Sequence, residues 1–341
     1  RERSVLAGKE GEDGRPVEGA LMGLYRAGDQ GEAVLDDAHL VTTWRSGSDG
    51  VYTKEEAALG MIPGGMEAGD LRLHRIRRAG AGDYYLAELE PPPYYIPMEP
   101  VLLTVKEEET AVVSGVNRVK TGRVMVKKTD ESGEIPLSGA VFTLLNRDTG
   151  QSWEMTTGED GIASVSDLPV GKVTENGRVE PFHYRLEETR PPQFYQISWE
   201  PAEFSFEDQE EAELLADWTV QDKKTEIQVS KTDYDSGAPV SGARLEIFRA
   251  VREGERLREG EQLPVEEQLR AEEQIQSGEQ LRAEGEALDC WVSDGTPHKI
   301  TGRLEAGGLY LLRETETPDG YGPSKEMWFL MSEDGREICM T

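Results

Sequence analysis

The chain has 341 residues, which exceeds the usual size of one domain and fits two or three. Its 67 acidic residues outnumber its 37 basic residues, and the formal net charge of −30 excludes nucleic-acid phosphates and anionic lipid headgroups as direct partners. Apolar residues make up only 36% of the chain, yet six Trp and eleven Tyr indicate folded domains rather than an acidic disordered chain.

The sequence contains no recognisable export or membrane segment. No apolar run approaches the roughly 20 residues that span a bilayer, and no basic-then-apolar leader opens the chain. We therefore expect Arg1 to be an internal position of a longer protein, and this fragment to make no membrane contact. Cys290 and Cys339 are too few for a disulfide framework, and both a pair and two separate thiols remain open.

Two phrases recur three times along the chain. The first runs from a lysine to a Gly-Ala step: Lys9 to Gly19-Ala20, Lys128 to Gly139-Ala140, and Lys231 to Gly242-Ala243. The second joins Tyr-x-x-x-Glu to a later Pro and Tyr: Tyr84 to Tyr95, Tyr184 to Tyr195, and Tyr310 to Tyr321. Such self-similarity indicates tandem homologous domains, which we predict at residues 1–119, 120–224 and 225–341.

Short alternating runs within each repeat predict antiparallel β-structure. Examples are residues 124–128 and 226–231, and clusters of Asp, Gly, Pro and Ser separate such runs. Repeats of this length with little helical periodicity are typical of β-sandwiches. The predicted fold class is therefore all-β, with three tandem sandwiches.

The third repeat carries a low-complexity insertion at about residues 249–290. Residues 254–283 form five consecutive hexads. A period of six advances about 240° around an α-helix, so the fourth residues of the hexads, which are Leu or Ile, would circle the helix axis instead of forming a stripe. In an extended chain they would share one face. The insertion is interpreted as a solvated loop or, alternatively, as a hairpin arm that binds a partner.

Strand alternation directs one lysine and one glutamate of each repeat toward the core. Lys128 shares a strand face with Val124 and Val126, whereas Lys127 lies on the other face. The same parity selects Lys9 and Lys231, and it selects Glu88, Glu188 and Glu314. A buried salt bridge is one interpretation, but three costly buried pairs favour a purpose beyond stability. Burial favours a neutral amine, which is a nucleophile, and a neutral acid that can polarise a carboxamide.

These phrases resemble the collagen-adhesin B-type (CnaB) domain, also called the SpaA-type pilin domain, of Gram-positive surface proteins. The resemblance rests on the Lys-Thr-Asp opening, the Gly-Ala step and the Glu-Thr-x-x-Pro-x-x-Tyr closing phrase. It implies immunoglobulin-like (prealbumin-like) sandwiches. It also implies that each first-strand lysine condenses with an Asn or Asp of the last strand, assisted by the glutamate. The product is an intramolecular isopeptide bond.

The resemblance assigns the acceptors to the strand before the next lysine strand. Asn117 would then release ammonia and Asp222 would release water. An ordinary polar residue near a linker is the alternative interpretation of each. The first repeat departs from the pattern, because it lacks Thr-Asp after Lys9, has Leu89 instead of Thr, and begins with only a stub of strand. The third acceptor is expected just beyond Thr341, so the third sandwich is expected to lack its last strand.

No cofactor, metal site or turnover of an external substrate is predicted. The four histidines are scattered without ligand spacing. The run Asp233-x-Asp235-x-Gly237 faintly resembles a calcium loop but favours a hairpin turn.

The predicted function is a structural stalk or pilin-like segment of a bacterial cell-surface adhesin. The alternative is a ligand-binding adhesin module that recognises a host protein or glycan. The resemblance implies an extracellular, cell-wall location. Its implied partners are sortase, other pilus subunits, and a host extracellular-matrix or cell-surface ligand.

Overall fold

The computed structural model describes residues 4–47, 73–107, 110–252, 281–336 and 338–340. Every regular element in these ranges is a β-strand, which confirms the predicted all-β class. No helix in the same ranges is long and apolar enough to cross a membrane.

The first eight strands form two four-stranded sheets. They are β1 (Ser4–Gly11), β2 (Leu21–Arg26), β3 (Leu40–Arg45), β4 (His74–Arg77), β5 (Gly82–Glu90), β6 (Tyr95–Ile96), β7 (Val101–Val105) and β8 (Thr110–Val119). The sheets have the orders β4-β1-β8-β6 and β3-β2-β5-β7. Strand β1 pairs in parallel with β8, and the register joins Lys9 to Gly115 and Gly11 to Asn117. The predicted strand stub is therefore wrong, because β1 has eight residues with a partner on each side.

The next ten strands form two four-stranded sheets and a short hairpin. They are β9 (Thr121–Asp130), β10 (Val141–Asn146), β11 (Ser152–Thr156), β12 (Ile162–Pro169), β13 (Gly171–Val173), β14 (Val179–Pro181), β15 (Tyr184–Arg190), β16 (Tyr195–Gln196), β17 (Ala202–Phe204) and β18 (Glu213–Lys224). The sheets have the orders β11-β10-β15-β17 and β12-β9-β18-β16, and β13 pairs with β14. Strand β18 therefore lies beside β9, as β8 lies beside β1.

The last seven strands form a two-stranded and a five-stranded sheet. They are β19 (Glu226–Val229), β20 (Ser241–Arg252), β21 (Leu281–Asp294), β22 (His298–Thr301), β23 (Leu309–Glu316), β24 (Met327–Met331) and β25 (Ile338–Met340). The sheets are β19-β22 and β21-β20-β23-β24-β25. In the described ranges, β19 has β22 as its one sheet partner, so the strand that would correspond to β8 and β18 is absent there. The prediction that the third sandwich lacks its last strand stays a prediction.

Strands β20 and β21 flank the predicted insertion. They pair antiparallel as far as Arg252 and Leu281. Residues 253–280, which contain most of the hexads, lie outside the described residues. The loop and binding-arm interpretations of the hexads therefore stay predictions.

Apolar side chains from two sheets meet in two of the hydrophobic cores. In the first, Val5 of β1 and Val113 of β8 pack with Met22, Leu24 and Leu86 of the facing sheet. In the last, the cluster contains Ile227 and Ile300 from one sheet and Ile247, Tyr310 and Phe329 from the other. Each is the core of a β-sandwich.

By Cα proximity the chain forms two compact units. One contains residues 1–124, 165–183 and 204–216, and the other contains residues 125–164, 184–203 and 217–341. The predicted boundaries at residues 119 and 224 stay a prediction.

Candidate functional site

The same short loop follows each of the three predicted lysines. A single β-bridge joins the next residue to a proline: Glu10 to Pro16, Thr129 to Pro136, and Thr232 to Pro239. The lysine carbonyls accept hydrogen bonds from the amides of Val17, Leu137 and Val240 at 2.9, 3.0 and 2.9 Å. The recurring sequence motif therefore forms a loop that fixes the position of the lysine backbone.

Buried hydroxyl groups secure the Gly-Ala step at the end of this loop. The Oγ1 of Thr157 accepts a hydrogen bond from the Ala140 amide at 3.0 Å and donates one to the Leu137 carbonyl at 2.8 Å. Ser46 makes the corresponding contacts with Ala20 and Val17, and Ser293 contacts Ala243. Sequence reasoning missed these hydroxyls because their distance from the Gly-Ala step differs in each repeat.

The first site brings together Lys9, Glu88 and Asn117 in the core. The Lys9 Nζ lies 3.2 Å from Glu88 Oε1, and the two side chains are 2% and 0% exposed. Asn117 donates through Nδ2 to both Glu88 oxygens, at 3.1 and 3.0 Å, and to the Ile96 carbonyl at 3.1 Å. All three atoms around Nδ2 are acceptors, so the amide nitrogen faces Glu88.

The first site favours an uncharged lysine. Burial lowers the pKa of Lys9, although the Glu88 carboxylate opposes this shift. Gly115 lies opposite Lys9 in the register of β1 and β8, and a Cβ there would clash with Met98 Sδ.

The second site brings together Lys128, Glu188 and Asp222, all with fully buried side chains. The Lys128 Nζ lies 2.6 Å from Glu188 Oε2 and 2.7 Å from Asp222 Oδ1. It also lies 5.7 Å from the ring centre of buried Phe142. Lys127, one residue earlier, is exposed, as strand alternation predicts.

Two carboxyl groups and one amine cannot all be ionised in this pocket without a net negative charge. The pKa of Glu188 is raised to about 8, mainly because burial disfavours the carboxylate, while Lys128 lowers it and the neighbouring Asp222 raises it. Glu188 Oε1 and Asp222 Oδ2 are buried and have no hydrogen-bond partner within the described residues. This arrangement fits a proton held between them.

The third site contains Lys231 and Glu314 but differs from the other two. The Lys231 Nζ lies 3.3 Å from Glu314 Oε2 and also contacts Ser324 Oγ, and 18% of the Lys231 side chain is exposed. Burial raises the pKa of Glu314, but hydrogen bonds from Ser324 together with Lys231 give a net lowering. Here a serine hydroxyl lies against the amine, whereas at the second site a carboxyl oxygen of Asp222 does.

A backbone amide also enters each site, three residues after the closing tyrosine. The Met98 amide donates to Glu88 Oε2 at 2.9 Å, the Ser198 amide to Asp222 Oδ1 at 3.0 Å, and the Ser324 amide to Glu314 Oε2 at 2.7 Å. Sequence reasoning missed these amides because it considered side chains, although the constant spacing from Tyr95, Tyr195 and Tyr321 was a usable signal.

Gly161 supports the lysine of the second site, and its replacement is expected to be destabilising. Its carbonyl accepts a hydrogen bond from the Lys128 amide at 2.7 Å, its φ is +73°, and an added Cβ would lie 2.5 Å from the Lys128 carbonyl oxygen. We expect Gly161→Ala to lower the free energy of unfolding by about 2–4 kcal/mol, measured by urea denaturation.

Gly150 provides the matched control, because its φ is +77° and nothing lies within 4 Å of an added Cβ. Gly150→Ala should cost only the left-handed backbone term, about 1 kcal/mol. Equal losses for the two variants would contradict the proposed steric support of Lys128.

The run Asp233-x-Asp235-x-Gly237 forms a turn. Asp233 Oδ1 accepts hydrogen bonds from the amide and hydroxyl of Ser236, as in a hairpin turn. The described residues contain no group of three or more His, Cys, Asp or Glu that could hold a metal ion. Cys290 is a free, exposed thiol.

Comparison with protein families gives a match over most of the chain. Residues 122–219 and 225–341 match the family model described as SpaA, prealbumin-like fold domain. Comparison with curated proteins gives no match.

Solved structures include several similar chains. The Bacillus anthracis TIE protein is 20% identical with a TM-score of 0.52, over 98% of this chain and 49% of that one. BcpA, the major pilin subunit of Bacillus cereus, is 12% identical with a TM-score of 0.39, over 98% and 96%. The shaft pilin SpaA from Lactobacillus rhamnosus GG is 14% identical with a TM-score of 0.26, over 65% and 97%. The chain thus spans about half the length of the TIE structure, and the likeness to that structure indicates a shared fold.

Proposed function

The chain belongs to the SpaA prealbumin-like fold domain family, and we propose that it is a self-cross-linked, pilin-like stalk segment of a Gram-positive cell-surface protein. The observation that carries the proposal is the burial of a lysine, a glutamate and an Asn or Asp together in two successive sites. A buried ion pair seldom improves on apolar packing, so two such trios favour a covalent purpose.

The proposed reaction joins Lys9 to Asn117 and Lys128 to Asp222. The neutral amine attacks the side-chain carbonyl carbon, and the glutamate carries the proton from the amine to the leaving group. Asn117 loses ammonia and Asp222 loses water. Each bond forms once, so no external substrate is turned over.

The bonds would route tension past the hydrogen-bonded sheets. Lys9 and Asn117 lie on the parallel neighbours β1 and β8, and Lys128 and Asp222 lie on the neighbours β9 and β18. A pull on the two ends of such a sandwich reaches the cross-link before it can separate the strands. This property suits a stalk that is exposed to shear outside the cell wall, where other pilus subunits would be its partners.

Single-molecule stretching tests the mechanical role. We expect the wild-type segment from Lys128 to Asp222 not to extend, whereas Glu188→Ala should release a further length of about 300 Å. Glu187→Ala is the matched control, because Glu187 neighbours Glu188 but pairs with Arg185 on the other face of β15. Equal extension of wild type and Glu188→Ala would contradict a cross-link that carries the applied tension.

A further inference from the structure

The second site contains a backbone N–H group in addition to the lysine, glutamate and aspartate side chains. The Ser198 amide donates to Asp222 Oδ1 at 3.0 Å, and the same oxygen lies 2.7 Å from the Lys128 Nζ. Asp222 Oδ2 has no hydrogen-bond partner within the described residues. The two oxygens of the acceptor therefore lie in different environments.

We infer that the Ser198 N–H is the oxyanion donor of the second site, and that it selects Oδ1 as the retained oxygen and Oδ2 as the leaving oxygen. This inference rests on the proposed function. When the amine attacks Cγ of the protonated Asp222 carboxyl, negative charge develops on Oδ1, where the N–H already points. The Lys128 nitrogen is then bonded to Cγ, so the Ser198 N–H is the donor that remains at Oδ1.

The atoms and protons of this step balance without a co-reactant. The Nζ–Cγ bond forms, Glu188 takes a proton from the nitrogen and gives one to Oδ2, and the Cγ–Oδ2 bond breaks. Water leaves, Oδ1 becomes the amide carbonyl oxygen, and Glu188 returns to its starting protonation state. The unpartnered Oδ2 and Glu188 Oε1 are the atoms between which this proton would pass.

Local structure holds the Ser198 amide in position. Strand β16 pairs Gln196 with Lys223 of β18, the residue next to Asp222. The Ser198 hydroxyl accepts a hydrogen bond from the Lys223 amide at 3.3 Å and donates to the Gln196 carbonyl at 3.4 Å. The donor is thus set before the reaction, which is the condition for oxyanion stabilisation.

At the first site, the corresponding backbone amide does not donate to the acceptor side chain. There the corresponding amide, Met98, donates to Glu88 Oε2, and Asn117 Oδ1 has no hydrogen-bond partner within the described residues. The oxyanion donor is therefore specific to the site whose acceptor is a carboxyl group.

A backbone substitution in the full chain tests the inference. Cell-free translation with a suppressor tRNA can replace Ser198 by its α-hydroxy analogue, which exchanges the N–H for an oxygen and keeps the side chain. Intact mass, sampled over time after quenching in denaturant, follows the loss of water. A protease pulse before each quench restricts the measurement to folded chains. We expect bond formation to slow by about 100-fold or more.

One control isolates the N–H. The α-hydroxy analogue of Ile197 removes the neighbouring N–H, which donates to the Asp334 carbonyl instead. This variant should react at close to the wild-type rate. Equal rates for the Ser198 and Ile197 backbone variants would overturn the oxyanion role alone. A wild-type chain that never loses water would overturn the cross-link itself.

Discussion

The intact, denatured chain is expected to weigh less than its sequence by one ammonia and one water. The first loss comes from Lys9 and Asn117, whose groups converge on Glu88, and the second from Lys128 and Asp222, which converge on Glu188. Because buried reacting groups at hydrogen-bond distance are already oriented, both losses should be complete in the folded protein. Mass spectrometry of the denatured chain measures the sum, and peptides that remain linked after proteolysis identify the residues.

Single glutamate variants assign each loss to its site. Glu88→Ala should recover only the ammonia and Glu188→Ala only the water, while Glu187→Ala should leave both losses in place. A wild-type mass equal to that of the unmodified sequence would exclude the isopeptide bonds. The chain would then be a row of ordinary sandwiches, and a ligand-binding role would become the better hypothesis.

Removal of the second lysine is expected to give the largest loss of stability. Lys128→Met removes the cross-link, which by analogy with a disulfide around a loop of this size is worth on the order of 4–5 kcal/mol. It also leaves Glu188 and Asp222 buried without a cation, at a further cost of about 3 kcal/mol or more. The shift of the urea midpoint measures the sum, and Lys127→Met, on the exposed face, should shift it little.

The stability of Lys128→Met is also expected to fall as pH rises. The folded-state pKa of Glu188 is raised from 4.5 to about 8, so the folded chain holds a proton that the unfolded chain has lost between these values. Removal of Lys128 takes away the group that lowers this pKa. The stabilising contribution is fully present below about pH 4.5 and is lost toward pH 8, at up to about 1.4 kcal/mol per pH unit. Equal urea midpoints at pH 5 and pH 8 would contradict a buried, protonated Glu188.

Much of the candidate site follows from local patterns in the sequence. Strand alternation predicts that Lys128 is buried and Lys127 exposed, because successive side chains of a strand point to opposite faces. The repeated Tyr-x-x-x-Glu phrase identifies Glu88 and Glu188 by the same parity. The family resemblance then predicts Asn117 and Asp222, and both lie against the expected glutamate or lysine. Their chemical roles stay predictions until the mass is measured.

Other features could not be read from the sequence because they depend on distant segments. Ser46 and Thr157 secure equivalent loops at different distances along the chain, so no fixed spacing reveals them. The contact of Lys231 with Ser324 depends on how the loop before β24 returns to the core.

The sequence by itself determined the strand pattern, the repeats and the inward direction of Lys9, Lys128 and the three glutamates, since these properties depend on side chains a few residues apart. Only the tertiary structure decided which oxygen of Asp222 accepts a hydrogen bond from the Ser198 amide. It also decided that the Met98 amide of the first site donates to Glu88 instead of to the acceptor. Those contacts depend on ångström-scale positions of backbone groups in strands that are adjacent in space but far apart in sequence. Backbone amides are common to almost every residue, so residue identity alone carries no signal for them.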